Sequence, residues 1–224
     1  MTDALLAAIR LRDTHRLVPS RYPPVGIFDA IASPEDLLAI IDLEGWTDDR
    51  ISAELGVIRA IPAEEWALGP MASVIMAAFC HPDPRGARFN DAHLGAWYAA
   101  RALETAHAEV IHHRTRELEE IGLLDARVHM RQYLADLDGE FHDIRDDDPA
   151  FDPLYLPDSY EASQAFAARL RAAGSNGVLY RSVRHAGGEC VACFRPRVVT
   201  NVRPGAHFEY RWSGAPTPMV TRLA

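Results

Sequence analysis

Apolar positions recur with a helical period in several stretches and with a strand period in others. In SPEDLLAIIDLE (33–44), Leu37, Leu38, Ile40 and Ile41 follow a Ser-Pro start and two acidic residues, which predicts a capped helix. ALETAHAEVIHHRTRELEE (102–120) predicts the longest helix. PDSYEASQAFAARLRAAG (157–174) predicts another, capped by Asp158 or Ser159 and stopped at Gly174, with Ala165, Phe166, Ala168 and Leu170 facing the core. A short helix is expected from Pro62 in IPAEEWAL, and a short amphipathic one in MTDALLAAIRLRDTHRL, so that residues 1–13 form a helical extension. GPMASVIMAAF (69–79) is apolar throughout and fits either a strand or a buried helix. GAWYAA (95–100) predicts a buried strand, and VLYRSV and ECVACF predict two strands joined by a turn at Gly187-Gly188. HPDPRGARFND (81–91) and DLDGEFHDIRDDDPAFDP (136–153) predict loops. With no repeat, linker or low-complexity tract, the expectation is one mixed α/β domain over residues 1–224.

Composition narrows the function classes. Hydrophobic residues make up 48% and charged residues 25%, ordinary values for a soluble globular chain. No apolar run approaches membrane-spanning length, and the N-terminus lacks a signal peptide's basic start and small-residue exit, so a cytoplasmic protein off the membrane is expected. A net charge of −9 argues against direct nucleic-acid binding. All 23 basic residues are Arg, which excludes a lysine Schiff base and a P-loop lysine. The three cysteines suit a reducing compartment; Cys190 and Cys193 should point to opposite faces of a strand, and no second CxxC exists to complete a zinc site.

Glu109 is the first candidate for chemistry. Ala102, Thr105, Ala106 and Ala108 leave room beside its carboxylate, although a surface Glu paired with an Arg is the commoner reading of such a residue. Glu109 and His112 have the E-x-x-H spacing of di-metal sites, but the second pair and the extra Glu residues those sites need are missing, as is HExxH, so no metal is expected. There is no G-x-S-x-G elbow, and Ser182 in YRSVR taken alone is a structural hydroxyl. No G-x-G-x-x-G follows a predicted strand, which excludes a Rossmann cofactor site.

Taken together, these segments resemble a known family. GARFN supplies Arg88, WYAA supplies Tyr98, AHAEVIHH supplies Glu109 eleven residues on, and LYRSVRHAGGECVACFRP supplies Ser182 with its Gly-Gly turn. HRLVPSRYPP adds Arg16, with Arg21 as the alternative. This set is similar to the RES domain, named for its Arg, Glu and Ser, over about residues 14 to 212. Phe89 stands where many members have Trp, and the span between Arg21 and Arg88 is rich in insertions.

The resemblance implies an ADP-ribosyltransferase-like core, a mixed, twisted or split sheet with flanking helices. It implies a toxin of a bacterial toxin–antitoxin pair that cleaves the nicotinamide–ribose bond of NAD⁺ by hydrolysis or phosphorolysis. NAD⁺ is then a consumed substrate rather than a cofactor. The implied partner is a helix-turn-helix antitoxin, and homo-oligomerisation is left open. In that reading Glu109 stabilises positive charge on the ribose, Arg88 and Arg16 bind pyrophosphate or ribose, Tyr98 stacks on nicotinamide, and Ser182 contacts the carboxamide or ribose. Transfer of ADP-ribose to a protein and a non-catalytic binding module are the alternatives.

Overall fold

The computed structural model describes residues 4–20, 29 and 60–224; the helix expected at 33–44 and Arg21 lie outside them. Seven strands form one sheet: β1 (Leu5–Pro19), β2 (Trp97–Ala100), β3 (Asp125–Asp143), β4 (Gly177–Arg181), β5 (Glu189–Cys193), β6 (Val199–Ser213) and β7 (Met219–Leu223). Their order is β1-β2-β5-β4-β3-β6-β7, and β1 also pairs with β3, so the first five strands close on themselves while β6 and β7 extend from β3 as a ribbon. All pairs are antiparallel except β3–β4, which meet in parallel at His142↔Val178 and Asp143↔Leu179. Three α-helices flank this sheet among the described residues: α1 (Ala72–Cys80), α2 (Leu103–Glu120) and α3 (Glu161–Ala172). The result is the mixed α/β architecture expected, with a sheet that is split and closed on one side.

The N-terminal segment departs from expectation. Leu5–Pro19 is a strand, not a helix, and it pairs with β3 from Leu5↔Asp143 to Pro19↔Met130. Its Ala and Leu content favours a helix locally, but Ala7, Ile9 and Leu11 alternate with exposed Ala8, Arg10 and Arg12. The β3 partner selects that period of two over the helical propensity. The start of the acidic 136–153 stretch is likewise strand. Leu137 and Phe141 are fully buried in β3, and Asp136 accepts from the Asp13 main-chain N–H at 3.1 Å and the Asn201 amide at 3.0 Å. The apolar stretch at 69–79 resolves as helix α1, buried around most of its girth.

The sheet separates two cores. One packs α1 against Trp97, Tyr133, Leu137, Phe141, Val191 and Cys193; the other packs α3 against Phe89, Val178, Tyr180, Cys190 and Ala192. Cys190 and Cys193 therefore lie on opposite faces, each buried and free. Helix α3 has no side-chain cap and buries Ser163, Phe166 and Ala167, leaving Ala165 and Ala168 exposed. Ser163 occupies a core position because its hydroxyl donates back to the Tyr160 carbonyl at 3.1 Å. Helix α2 lays Leu103, Val110, Ile111 and Leu118 on the β3–β6 ribbon beside Met130, Phe208, Tyr210 and Trp212. Its adjoining face, with Ala106 in the α3-side core, turns toward the β4–β5 connection.

Burial lowers His15, His107, His112 and His113, and the first two tie that shift to the sheet and its ribbon. The Gln132 amide oxygen accepts from Ala206 N–H at 2.9 Å, so its nitrogen must donate to His15 Nδ1 at 2.7 Å, which requires an unprotonated Nδ1. His107 bonds the Tyr210 hydroxyl and lies edge-on to Phe208. Burial lowers both residues from the ordinary 6.5, with Glu104 opposing. Below that pH the unfolded chain binds more protons than the folded one, so stability falls as pH drops through about 6.5 and is fully present above it. Thermal melts should show a lower Tm at pH 5.5 than at pH 7.5, and His107→Gln should reduce that difference. An unaltered difference in the variant would remove His107 from the account.

Candidate active site

The loop before β2 is fixed from three sides. Arg85 grips both Glu120 oxygens at the end of α2, at 2.9 and 2.8 Å. Gln164 of α3 donates to the Ala87 carbonyl at 3.0 Å, and an Ala87↔Asn90 bridge closes the turn. Tyr98 of β2 accepts from the Phe89 N–H and donates to Asn90 Oδ1, both at 2.9 Å. Phe89, fully buried, packs edge-on against Tyr180 of β4 with ring centroids 4.8 Å apart.

This turn presents Arg88, which is buried and stacks its guanidinium 4.8 Å from the Tyr160 ring centre. Its Nη1 donates to the Leu154 and Leu156 carbonyls at 2.8 and 3.0 Å. These carbonyls end the 3₁₀ segment Pro149–Tyr155, whose last turn has no backbone donors of its own to offer them.

Glu109 and Ser182 meet directly, although 73 residues separate them. The Ser182 hydroxyl donates to Glu109 Oε1 at 2.6 Å and accepts the N–H groups of Arg184 at 3.1 Å and His185 at 3.0 Å. Two incoming N–H bonds leave the single hydroxyl proton pointed at the carboxylate, so Ser182 orients Glu109 and is not poised as a nucleophile. Glu109 is half-buried, and among the described residues no Arg lies within ion-pair distance of it. Among the described residues the surface-ion-pair reading of this residue finds no arginine partner. One turn earlier on the same helix face, Thr105 Oγ1 lies 2.8 Å from His185 Nδ1.

Electrostatics links these two halves. Burial pushes the Tyr180 hydroxyl well above its ordinary range, with Cys190 and Glu109 adding to the shift and Arg88 opposing it. Burial also raises Cys190, again with Glu109 adding and Arg88 opposing. The charges of Glu109 and Arg88 thus act on the same buried pair, in opposite senses. Burial lowers His112, one turn beyond Glu109, with Arg184, Arg116 and Arg88 adding and Asp158 opposing.

Arg16 is placed differently. β1 and β2 pair only at His15↔Ala100, and the Arg16 guanidinium donates to the Tyr98 carbonyl at 3.0 Å while lying 4.8 Å over Trp97. Burial brings it down to about 10. It contacts the main chain of Tyr98 on the α1 side of the sheet, and no hydrogen bond joins it to Glu109 or Ser182 among the described residues. No group of three or more His, Cys, Asp or Glu among the described residues is arranged to hold a metal ion.

A family model for the RES domain matches residues 57–213, taking in all four residues of this arrangement. The chain belongs to the RES domain family. Its relatives include the uncharacterized protein y4oC of Sinorhizobium fredii (strain NBRC 101917 / NGR234), 26% identical over 211 residues that cover 89% of this chain and 83% of the relative. Among solved structures, a chain of the M. tuberculosis MbcT–MbcA toxin–antitoxin complex superposes with a TM-score of 0.47 at 14% identity, covering 90% of this chain and 86% of the other.

Within this RES domain, the sequence motifs yield two joined pairs, Glu109–Ser182 and the Tyr98-braced turn of Arg88. The motifs alone did not single out Thr105, His185, Tyr180 or Asn90. Asn90 sits inside the GARFN motif, and its amide role became visible only once Tyr98 was placed against it. Tyr98 turns its hydroxyl into the turn, and burial raises it well above the ordinary phenol range. Tyr98→Phe leaves the buried Phe89 N–H without its acceptor, so stability should fall by about 1–3 kcal/mol in urea denaturation. A change under about 0.5 kcal/mol would show that the turn does not depend on this hydroxyl.

Proposed function

We propose that this RES protein is a toxin of a toxin–antitoxin pair that degrades NAD⁺ by cleaving its nicotinamide–ribose bond, with water or phosphate as acceptor. The observation that carries the reading is the Glu109 carboxylate, held at 2.6 Å by a Ser182 hydroxyl whose own orientation is set by two main-chain N–H groups. Breaking that bond develops positive charge on the ribose, as in glycoside hydrolysis. A fixed carboxylate stabilises such charge without reorganising. Ser182 occupies Oε1, and Oε2 is the oxygen that would reach the ribose hydroxyls. Arg88 and Arg184 would face the pyrophosphate, and NAD⁺ would enter and leave as substrate and products.

Ser182→Ala removes a charge-assisted hydrogen bond of about 1.5–3 kcal/mol. It should therefore lower kcat roughly ten- to a hundredfold. An unchanged kcat would remove the orienting role. The biological reading has its own test. Expression of the chain alone in bacterial cytoplasm should slow growth and lower cellular NAD⁺, and co-expression of the antitoxin should restore both. Normal growth with unchanged NAD⁺ would contradict the toxin assignment.

A further inference from the structure

We infer that His185 is a positioning residue for Glu109, acting through Thr105; the inference rests on the NAD⁺-cleavage reading of the site. Thr105 and Glu109 are four residues apart on α2 and therefore share one face. Ser182 and His185 are three apart in the β4–β5 turn. Each helix residue bonds one turn residue, Glu109 to Ser182 at 2.6 Å and Thr105 to His185 at 2.8 Å. The β4–β5 ladder and the Arg184–Pro157 contact anchor the base and one side of the turn, and the helix holds its other side. Two bonds along the helix axis fix the turn's orientation, and with it the direction of the Ser182 hydroxyl.

The turn is built to be held there. The Gly188 N–H donates to the His185 carbonyl at 2.9 Å, and the Ser182 N–H donates to the Gly188 carbonyl at 2.8 Å, closing a compact loop. A Cβ at Gly188 would fall 2.7 Å from Thr105 Oγ1 and 2.9 Å from His185 Nδ1, so the turn reaches the helix only because residue 188 lacks a side chain. Thr105 is fully buried, so its hydroxyl has little access to water as an alternative partner. The Thr105 hydroxyl can donate or accept, so it serves His185 Nδ1 in either tautomer.

The test compares His185→Ala, His185→Asn, Thr105→Val and the Thr105→Val/His185→Ala double variant in NAD⁺ cleavage by the full chain. A carboxylate displaced by about 1 Å loses up to roughly a hundredfold in rate. His185→Ala and Thr105→Val should each lower kcat on the order of tenfold or more with KM nearly unchanged, and the double variant should be no worse than either. His185→Asn, whose side-chain amide reaches the Nδ1 position, should restore most of the rate, which a merely structural role would not require. A crystal structure of the His185→Ala variant should show Ser182 Oγ beyond hydrogen-bond reach of Glu109. Native kcat in His185→Ala, or an intact Ser182–Glu109 bond in its structure, overturns the inference. Should the native protein cleave no NAD⁺, the functional reading fails, and the variant structure by itself still decides whether His185 positions Glu109. Should Thr105→Val fail to fold, the contrast between Ala and Asn at the half-buried His185 carries the test.

Discussion

Glu109→Gln is expected to lower kcat for NAD⁺ cleavage on the order of 10²-fold or more, with little change in KM. The substitution keeps the shape of the side chain and leaves Ser182 an amide oxygen to bond in place of Oε1. It removes the negative charge and puts an amide donor where the Oε2 acceptor stood. In bound NAD⁺ the positive charge rests on the nicotinamide ring, and as the glycosidic bond breaks it moves onto the ribose, where the carboxylate matters most. The loss should therefore appear in kcat. Steady-state kinetics on the folded variant decides the matter, and near-native turnover would mean that Glu109 does not stabilise the developing charge.

The second large effect is expected at the turn that carries Arg88. Gly86 has φ +71°, and a Cβ there would stand 2.4 Å from the Asn90 carbonyl oxygen and 2.7 Å from the Gln164 amide nitrogen. The Gln164 side chain can move, but the Asn90 carbonyl is main chain and closes the Ala87–Asn90 bridge. Gly86→Ala should cost roughly 2–4 kcal/mol of stability, combining left-handed strain with a backbone clash. It should also raise KM for NAD⁺, because Arg88 is displaced with the turn. Gly214 supplies the control, with φ +81° and nothing within 4 Å of the position a Cβ would take. Gly214→Ala should lose only the strain, about 1–2 kcal/mol. Equal losses at the two sites in urea denaturation would mean that the 86–90 turn adjusts freely.

The site was legible where chemistry and spacing coincide. Arg88, Tyr98, Glu109 and Ser182 stand in motifs that the resemblance picked out, and helix α2 and strands β2, β4 and β5 lie where their apolar periods placed them. What could not be read was set by partners distant in sequence. The helical propensity of the first residues yields to pairing with β3, more than a hundred residues on. The acidic start of 136–153 is strand because Asp136 receives Asp13, Asn201 and arginine partners from β1 and β6. The core face of α3 is rotated relative to expectation because Ser163, a polar residue, satisfies its hydroxyl within the helix start. Thr105 lies outside the motifs, and His185 lies inside the LYRSVRHAGGECVACFRP stretch without a role that sequence shows; their link exists only because Gly188 lets the turn approach the helix.

In the proposed reaction this chain breaks the nicotinamide–ribose bond of NAD⁺ at Glu109. The most direct measurement incubates the purified protein with NAD⁺, with and without phosphate, beside the Glu109→Gln variant, and identifies the products by chromatography and mass spectrometry. The account predicts nicotinamide release by the native protein, with free ADP-ribose when water is the acceptor or its 1″-phosphate when phosphate is, and little of either with the variant. NAD⁺ recovered intact from the native protein, or equal release by both, would contradict it.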